Sequence, residues 1–461
     1  MTIRPNSIEA RDVAHVLHPY TNSSVHERIG PLVIARGEGI HVFDDAGNRY
    51  IEALSGLFCA SLGFSEERLV EAATRQMRKL PFYHTFGHKT NEPSVELAER
   101  LLALAPAPMS KVFFANSGSE ANDTAMKLVW YYHNAIGKPQ KKKIVSRIKA
   151  YHGVTIASAS LTGLPNNHRD FDLPIDRVLH TDCPGFYRFG LPGESEEDFA
   201  TRCARSLEDL IEREGADTIG AFFAEPIMVS GGCIVPPPTY FEKIQAILKK
   251  HEILLIADEV ICGFGRTGNM FGSETFGMKP DMITMAKQLS AAYQPISALM
   301  ISEKIYRAMV SESEKIGTFA HGFTYGGHPV AAAVALETLK IYEERDILGH
   351  VREIMPGFQR RLRELGEHPL VGEARGKGLV GALELVEDKA TRKNFDPAGG
   401  VAAYVGERAQ AHGVITRCLG DNVNICPPLI IAEAEIADLM GRIKLALDDT
   451  LVWLENGGTP R

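Results

Sequence analysis

Residues 253–289 read ILLIADEVICGFGRTGNMFGSETFGMKPDMITMAKQL, and this stretch indicates how the chain folds. It contains two short apolar runs, Ile253 to Ala257 and Met282 to Ala286, each bounded by turn-forming residues. Such runs are typical of strands buried on both faces of a sheet. The first run is followed by Asp258-Glu259 and the second by Lys287. Because ligands of open α/β sheets bind beyond the carboxyl ends of the strands, we expect the acid and the amine to face one crevice.

Length and composition narrow the class of protein. The 461 residues exceed the about 250 to 300 that a single hydrophobic core usually holds, so two domains are expected. A chain with 44% hydrophobic and 23% charged residues has ample material for a large core. The net charge of -8 argues against binding to nucleic acid, which requires a basic face. Because no apolar run approaches the roughly 18 residues of a membrane span, we expect no membrane association.

The cysteines and the amino-terminal segment bear on the cellular compartment. Seven cysteines, an odd number, are scattered along the chain without a C-x-x-C pair. This distribution favours a reducing compartment and argues against a cysteine-based metal site. The amino-terminal segment lacks the apolar stretch of a secretory signal. We therefore predict a cytoplasmic protein.

Further apolar runs and helical patterns extend the α/β interpretation along the chain. Strands are predicted at Lys111 to Ala115, Lys143 to Arg147, Thr218 to Ala224 and Pro295 to Ile301. Helical spacing separates many of the strands, and short runs broken by glycine near the amino terminus predict hairpins. After residue 335, helices alternate with short strands such as LVGALELV and GVITRC. We therefore predict a large domain over residues 61–335 and a smaller α/β domain over residues 336–461, joined by residues 1–60.

A candidate anion site follows the strand at Lys111 to Ala115. There Asn116-Ser117-Gly118-Ser119-Glu120 leads directly into a predicted helix. Free backbone N–H groups at a helix amino terminus, a glycine that permits close approach and two hydroxyls suit a phosphate group. The simpler alternative is that Ser117 or Ser119 only caps the helix.

Two other patterns do not predict a site. Residues 263–268 match G-x-G-x-x-G, but a turn-rich segment follows where a dinucleotide-binding fingerprint requires a helix. His321 and His328 have no carboxylate at zinc-ligand spacing and are expected to be structural or exposed. Neither a nicotinamide site nor a metal site is therefore predicted.

Taken together, the strand-end residues suggest one cofactor. Tyr151 follows the strand at Lys143 to Arg147, and it joins Asp258, Lys287 and the phosphate site. Pyridoxal phosphate requires such a set. The lysine forms a Schiff base with its aldehyde, the acid keeps the pyridine nitrogen protonated, and the aromatic ring stacks on the pyridine. Considered alone, each residue has a simpler role: Asp258 could cap a loop, Lys287 could be exposed, and Tyr151 could be ordinary packing.

These motifs make the chain resemble the class III pyridoxal-phosphate aminotransferases, and within them the amine:pyruvate (omega) transaminases. The resemblance extends over essentially the whole chain. The segments that carry it are residues 116–123, Tyr151-His152-Gly153, LTGLPNNH, AEP at 224–226, IADEVICGFGRTG, MAKQLS and GFTYGGHPVAAAVALETL. It implies the fold-type I, aspartate-aminotransferase-like architecture, with a mostly parallel central sheet in a large domain, a smaller α/β domain and a homodimer.

The resemblance also assigns roles to residues. Lys287 would be the Schiff-base lysine, Asp258 the partner of the pyridine nitrogen, Tyr151 and Val260 the residues on the two ring faces, and Glu225 a neighbour of the phenolic oxygen. The implied cofactor-binding set is Ser117, Gly118, Ser119, Tyr151, His152, Glu225, Asp258, Val260, Lys287 and Thr324, the last from the neighbouring subunit.

For the substrates, the resemblance points to Arg417, the last residue of a G-x-x-x-R segment. A guanidinium can bind the carboxylate of pyruvate through two hydrogen bonds. A surface ion pair is the alternative role. Apolar walls would come from Tyr20, Leu57, Phe58 and Phe86, which could equally be core or interface residues. Phe58 stands where many relatives carry tryptophan, and Gly326 replaces a common serine, which leaves the pocket width open.

The sequence therefore predicts a ping-pong transaminase that moves an amino group from a primary amine or omega-amino acid to pyruvate, giving an aldehyde or ketone and L-alanine. Two alternatives remain at this point. One is a pyridoxal-phosphate lyase, decarboxylase or aminomutase of the same fold, which would need no keto acid. The other is a catalytically silent dimer that serves for binding.

Overall fold

The computed structural model describes residues 3–459. Its helices are α1 (Ile8–His15), α2 (Ser23–Ile29), α3 (Ser55–Phe58), α4 (Glu67–Lys79), α5 (Glu92–Leu104), α6 (Gly118–Ala135), α7 (Ile156–Leu161), α8 (Phe186–Phe189), α9 (Glu196–Glu214), α10 (Tyr240–Lys250), α11 (Gly272–Thr275), α12 (Glu303–Ile316), α13 (Pro329–Glu344), α14 (Ile347–Gly366), α15 (Gly400–Ala411) and α16 (Glu433–Glu455). Short 3₁₀ helices cover Pro165–Asn167, Ala216–Thr218 and Lys287–Ser290.

The strands alternate with these helices through much of the chain. They are β1 (Ile34–Glu38), β2 (His41–Asp44), β3 (Arg49–Glu52), β4 (Lys111–Ala115), β5 (Lys143–Arg147), β6 (Val178–Thr181), β7 (Ile219–Ala224), β8 (Leu254–Asp258), β9 (Met282–Met285), β10 (Ser297–Ile301), β11 (Val371–Lys377), β12 (Val380–Leu385), β13 (Val414–Ile415), β14 (Arg417–Leu419) and β15 (Asn422–Ile425).

A seven-stranded sheet in the order β4-β10-β9-β8-β7-β5-β6 forms the centre of the molecule. The pairs β9-β8, β8-β7, β7-β5 and β5-β6 are parallel, whereas β10 runs antiparallel to both of its neighbours. Every residue of β7, β8, β9 and β10 is buried, because helices such as α6 and α10 cover the sheet. The predicted α/β class with a mostly parallel central sheet is confirmed.

The register of this sheet places the acid and the amine at one edge. In the parallel pair β8-β9, Ile256 lies opposite Met282 and Asp258 lies opposite Thr284. The carboxyl end of β8 is therefore Asp258, and Lys287 follows the end of β9. On the other side of β8, strand β7 ends at Ala224, one residue before Glu225. The predicted strand ends thus meet on one side of the sheet.

Two four-stranded sheets involve the carboxyl-terminal part of the chain. One has the order β11-β12-β15-β14, and the other, β1-β2-β3-β13, combines amino-terminal hairpins with a carboxyl-terminal strand. The prediction of a single strand over GVITRC is wrong, because Val414 and Ile415 pair with β3 whereas residues 417–419 pair with β15. The proposed domain limits 1–60, 61–335 and 336–461 stay predictions.

A helix must be both long and apolar to cross a lipid bilayer. Among residues 3–459, every helix is either too short or too polar to cross a membrane. All seven cysteines are free thiols.

Candidate active site

The Asp258 carboxylate is buried and accepts hydrogen bonds on both oxygens. Asn122 Nδ2 and His152 Nδ1 lie 2.8 Å and 2.7 Å from its Oδ2 atom. The backbone N–H of Val260 donates to Oδ1 over 3.1 Å. Asp258 is only 4% exposed, so these donors compensate a carboxylate that water barely reaches. They also fix the direction in which the carboxylate points.

Two of the residues that contact Asp258, Asn122 and His152, were not predicted to do so from the sequence. Asn122 was not predicted, although it lies in the quoted segment 116–123, on the buried side of α6. Its amide donates to the backbone oxygen of His152 over 2.7 Å as well as to Asp258. His152 was expected among the cofactor-binding residues, and in the structure its ring nitrogen Nδ1 is hydrogen-bonded to Asp258. A direct contact of His152 with a cofactor stays a prediction.

Lys287 has the properties of a reactive amine. Its φ angle of 48° lies in the left-handed region, which is uncommon for a residue other than glycine and often marks a functional site. Burial lowers the pKa of its ammonium group, and the nearby Asp258 carboxylate only partly opposes this effect. Such a lysine is neutral more often than an exposed one and can act as a nucleophile or base.

Glu225 is a second buried acid at the same edge of the sheet. Its Oε1 atom accepts the backbone N–H of Tyr151 over 3.0 Å. Burial raises the pKa of Glu225 to about 7. Arg147, which is fully buried and was not predicted, donates from Nη2 to the backbone oxygen of Glu225 over 2.7 Å. Glu225 and Arg147 therefore hold the loops that follow β7 and β5 against each other.

The predicted phosphate cradle lies where α6 begins. Ser117 caps this helix, since its hydroxyl accepts the N–H of Glu120 over 3.2 Å, so the simple capping role holds for Ser117. Ser119 Oγ accepts the N–H of Val154 over 3.1 Å. A Cβ atom added to Gly118 would lie 3.1 Å from both γ-methyl groups of Val260. Gly118 and Val260 therefore face each other closely, and a larger residue at position 118 would push against the Val260 side chain.

Phe58, which the sequence analysis expects to be an apolar wall of the substrate pocket, lies beside the Lys287 amine. The Lys287 Nζ atom is 5.9 Å from the centroid of the Phe58 ring. Phe58 is 3% exposed, whereas its neighbour Leu57 is 54% exposed. Phe58 is therefore buried beside Lys287, while Leu57 faces outward, and their roles as walls of the substrate pocket stay predictions.

Tyr20 joins Arg417 to Tyr151. The Arg417 Cζ atom lies 5.3 Å from the centroid of the Tyr20 ring. Burial, together with the hydroxyl of Tyr20, raises the pKa of Tyr151 well above its usual range. Asn167 Nδ2 donates to the Tyr20 hydroxyl over 2.5 Å. The predicted arginine and two of the predicted aromatic residues thus form one cluster.

A hydrogen-bonded brace holds the segment that carries Tyr20. His18 Nε2 and His26 Nε2 lie 2.8 Å and 3.0 Å from the same Asp12 oxygen. Among the described residues, this trio is the one group of potential metal ligands, and both of its ring nitrogens are in hydrogen-bond contact with the carboxylate. The brace links α1, the following loop and α2, and it therefore restricts where Tyr20 can lie.

Phe86 and Thr324 belong to one exposed region. The Phe86 ring packs over Gly322, where an added Cβ atom would lie 2.8 Å from its Cζ atom. Thr324 follows two residues later and is exposed. Of the aromatic wall residues, Phe58 is thus placed beside Lys287 and Phe86 beside the Thr324 loop.

The arrangement fits pyridoxal phosphate. A fully hydrogen-bonded acid lies beside a buried amine of lowered pKa, and a small-residue cradle at a helix amino terminus suits a phosphate. Lys287, Asp258, Tyr151, Val260 and the α6 cradle are the residues that would hold the cofactor. Fold and site together define a pyridoxal-phosphate-dependent enzyme of fold type I.

Comparison with known proteins gives the family. The model of the family "Aminotransferase class-III" matches residues 22–447. The chain belongs to the class III aminotransferases and is a pyridoxal-phosphate-dependent transaminase.

Three relatives illustrate the similarity. Gamma aminobutyrate transaminase 3, chloroplastic, of Solanum lycopersicum is 52% identical over 451 residues, which cover 96% of this chain and 87% of the relative. The omega transaminase of Pseudomonas jessenii in complex with PMP has a TM-score of 0.96 and 55% identity, covering 98% of this chain and 100% of that one. A structure described as a transaminase with L-ala has a TM-score of 0.91 and 59% identity, covering 92% and 100%.

Proposed function

We propose that the enzyme transfers the amino group of a primary amine or an omega-amino acid to pyruvate, giving an aldehyde or ketone and L-alanine by a ping-pong mechanism. The observation that carries this proposal is the cluster of Arg417, Tyr20 and Tyr151, together with Phe58 beside Lys287. A cation among apolar rings suits both a carboxylate and an uncharged substituent. The names of the relatives, which include gamma-aminobutyrate and omega transaminases and a complex with L-ala, agree with this substrate range.

Lys287 and Asp258 have separate roles in the proposed reaction. Bound pyridoxal phosphate supplies an electron sink that stabilises negative charge at the carbon next to the amino group. Lys287, with its lowered pKa, would accept the proton from that carbon and hold it for return later in the half-reaction. Asp258, held by three hydrogen-bond donors, provides the negative charge that keeps the pyridine nitrogen protonated.

Arg417 would orient the keto acid. Its planar guanidinium can donate two parallel hydrogen bonds to a carboxylate, which fixes the position of the neighbouring carbonyl carbon. When an amine without a carboxylate binds, the Tyr20 and Phe58 rings provide the contact instead. The pocket therefore accepts two chemically different partners in successive half-reactions.

We further propose a homodimer in which Thr324 completes the phosphate site of the neighbouring subunit. Around the Thr324 loop, Phe82, Tyr83, Phe86 and Tyr325 are 37% to 60% exposed. The Phe82 and Tyr325 rings lie 5.6 Å apart, so part of this set is contiguous. An exposed aromatic region of this kind is typical of an interface. A cytoplasmic location also stays a prediction, since the tomato relative is described as chloroplastic.

The visible spectrum of the purified enzyme tests the proposed reaction. The protein would be loaded with pyridoxal phosphate, treated with an arylalkyl amine without oxygen, and then given pyruvate. We expect the cofactor's visible band to bleach with the amine and return with pyruvate, in wild type and not in Lys287→Ala. A band that changes with the amine but does not recover with pyruvate would favour a lyase, a decarboxylase or an aminomutase. A protein that never takes up the cofactor would be the silent binding dimer.

A further inference from the structure

The wall residue Phe58 belongs to a strained turn. In this turn, defined here as residues 54–58, Ser55, Gly56 and Phe58 have φ angles of 51°, 69° and 63°. Two of the three are not glycine, and side chains other than glycine rarely adopt this conformation. Strained backbone of this type persists only when surrounding contacts hold it. The position of the Phe58 ring beside Lys287 therefore depends on what holds the 54–58 turn.

A buried carboxyl group holds the 54–58 turn in place. Glu52, the last residue of β3, is 5% exposed. Its Oε2 atom accepts the backbone N–H of Gly56, and its Oε1 atom accepts that of Leu54 over 3.4 Å. Both acceptors act on the backbone of the turn, so the carboxyl group determines the path of the chain into Phe58.

Glu52 also lies next to the strand that leads to Arg417. In the parallel pair β3-β13, Glu52 is opposite Ile415, two residues before Arg417. The N–H of Ala53 donates to the oxygen of Ile415 over 2.8 Å. A second support comes from Ser55, whose hydroxyl donates to the oxygen of Cys426 over 2.6 Å. The two sides of the proposed substrate pocket therefore meet at the end of β3.

We propose that Glu52 is a positioning residue that sets the width of the amine pocket by holding the 54–58 turn, and thereby determines how strongly the enzyme discriminates between bulky and small amines. The proposal rests on the proposed function, because it takes Phe58 as a wall of the amine pocket. Glu52 acts through the backbone N–H groups of Leu54 and Gly56 and through the Phe58 ring.

The substitution Glu52→Gln tests this role. Glutamine keeps the shape of the side chain but has one acceptor oxygen, and its NH₂ group would face a backbone N–H. We expect amide hydrogen exchange in the peptide containing Gly56 to be about tenfold faster, because an amide that loses its partner opens more readily. We expect the rate of bleaching by an arylalkyl amine to fall about tenfold, and the rate with alanine to change less than about threefold.

Two further variants show whether Glu52 acts through Phe58. In a double-mutant cycle with Phe58→Ala, we expect Glu52→Gln to cause little additional change in amine discrimination. Glu52→Asp withdraws the acceptors while it keeps a carboxyl group, so it should change discrimination in the same direction. It also serves as the test if Glu52→Gln does not fold.

Asp44→Asn is the matched control. Asp44 is a buried acid in the same sheet that accepts the backbone N–H groups of Ala46 and Asn48, but it holds a different turn. We expect it to leave amine discrimination unchanged.

Three results would overturn the proposal: equal losses with both amines, unchanged exchange at Gly56, or effects of Glu52→Gln and Phe58→Ala that multiply. Because bleaching by amine needs no acceptor, these measurements remain informative even if pyruvate does not restore the band and the proposed function fails.

Discussion

At Asp258, one carboxylate is held by donors from three separate parts of the chain. Asn122 comes from α6, His152 from the loop after β5 and Val260 from the turn after β8. The sequence predicted Asp258 from the apolar run that it follows, and it indicated His152 only through the resemblance to the class III aminotransferases. It did not indicate Asn122, which lies inside a helix. A buried asparagine within a helix has no local signature that separates a structural role from a role in the site.

Arg417 is the residue that we propose binds the carboxylate of the keto acid. Its replacement by alanine removes the guanidinium that we propose for the pyruvate carboxylate. A lost hydrogen bond to a charged group costs about 1.5 to 3 kcal/mol, so kcat/KM for pyruvate should fall about 10- to 100-fold. With a neutral aldehyde as acceptor, we expect less than about a threefold loss. Steady-state kinetics with the two acceptors measure the difference.

Arg417→Lys serves as the control for charge. Lysine keeps the positive charge but cannot form the planar pair of hydrogen bonds, so an intermediate loss with pyruvate is expected. Equal losses with pyruvate and aldehyde in Arg417→Ala would instead indicate a structural role beside Tyr20.

At the scale of elements, the amino terminus of α6 carries the phosphate cradle. In Gly118→Ala, the new methyl group would lie 3.1 Å from the Val260 methyl groups, in a contact tighter than most in proteins. The methyl group would therefore displace Val260, which we assign to one face of the cofactor ring. We therefore expect the dissociation constant for pyridoxal phosphate to rise about tenfold or more, a loss of about 1.4 kcal/mol, which equilibrium titration of the apo-enzyme measures.

The same substitution at Gly441 is the matched control. Gly441 lies within α16, and a Cβ atom added there meets nothing within 4 Å. Alanine should stabilise this helix by about 0.5 to 1 kcal/mol and leave cofactor affinity unchanged. Normal cofactor affinity in Gly118→Ala would contradict the proposed cradle.

The segment between β8 and β9 is held by another buried acid, Glu259. Its two oxygens accept the backbone N–H groups of Gly272 and Ser273 over 2.9 Å and 2.6 Å. Burial raises the pKa of Glu259 to about 7, from 4.5 for the exposed group. Between about pH 4.5 and 7, the folded state therefore binds more protons than the unfolded state. The stability contributed by protonated Glu259 is full below about pH 4.5 and is lost as the pH rises through about 7.

A pH series of thermal unfolding tests this prediction. Between about pH 5 and 8, Glu259→Gln should lose less stability with rising pH than the wild type, because glutamine does not titrate. The difference in slope should be up to about 1.4 kcal/mol per pH unit. Glu52 and Glu225, whose pKa values are also raised to about 7, contribute equally to both proteins and cancel in the comparison. Parallel pH profiles for wild type and variant would contradict the prediction.

At the scale of the whole molecule, distant parts of the chain carry the two sides of the substrate pocket that we propose. Strand β3 near the amino terminus pairs with β13 near the carboxyl terminus, and Phe58 and Arg417 are carried by the segments that follow them. The Thr324 loop, in contrast, lies with Phe86 in an exposed aromatic region. This separation supports a site completed by a second copy of the chain.

Mixed dimers test this assembly. If Thr324 acts on the neighbouring site, a dimer of a Lys287→Ala chain and a Thr324→Ala chain contains one fully intact site. Thr324→Ala alone should bind pyridoxal phosphate about tenfold more weakly, since a hydrogen bond to a charged phosphate is worth about 1.5 to 3 kcal/mol. After the two variants exchange subunits, a class of sites with wild-type cofactor affinity and activity should appear.

The alternative arrangements give different results. If Thr324 served its own chain, both sites of the mixed dimer would remain defective and affinity would not recover. A protein that stays monomeric at micromolar concentration in analytical ultracentrifugation would contradict the dimer itself.

The sequence by itself determined the central strands, the residues at their ends and the family. Apolar runs and turn residues are local signals, and Asp258 and Lys287 follow directly from where β8 and β9 end. Only the tertiary structure decided the side-chain contacts. Asn122 on Asp258 and Tyr20 with Arg417 link distant segments, and Glu52 holds the nearby turn that carries Phe58. It also divided GVITRC between two sheets, because Ile415 pairs with Glu52 and Arg417 pairs with Asn424. Contacts such as Ile415 with Glu52 and Tyr20 with Arg417 join residues hundreds of positions apart, and no local period of the sequence encodes them.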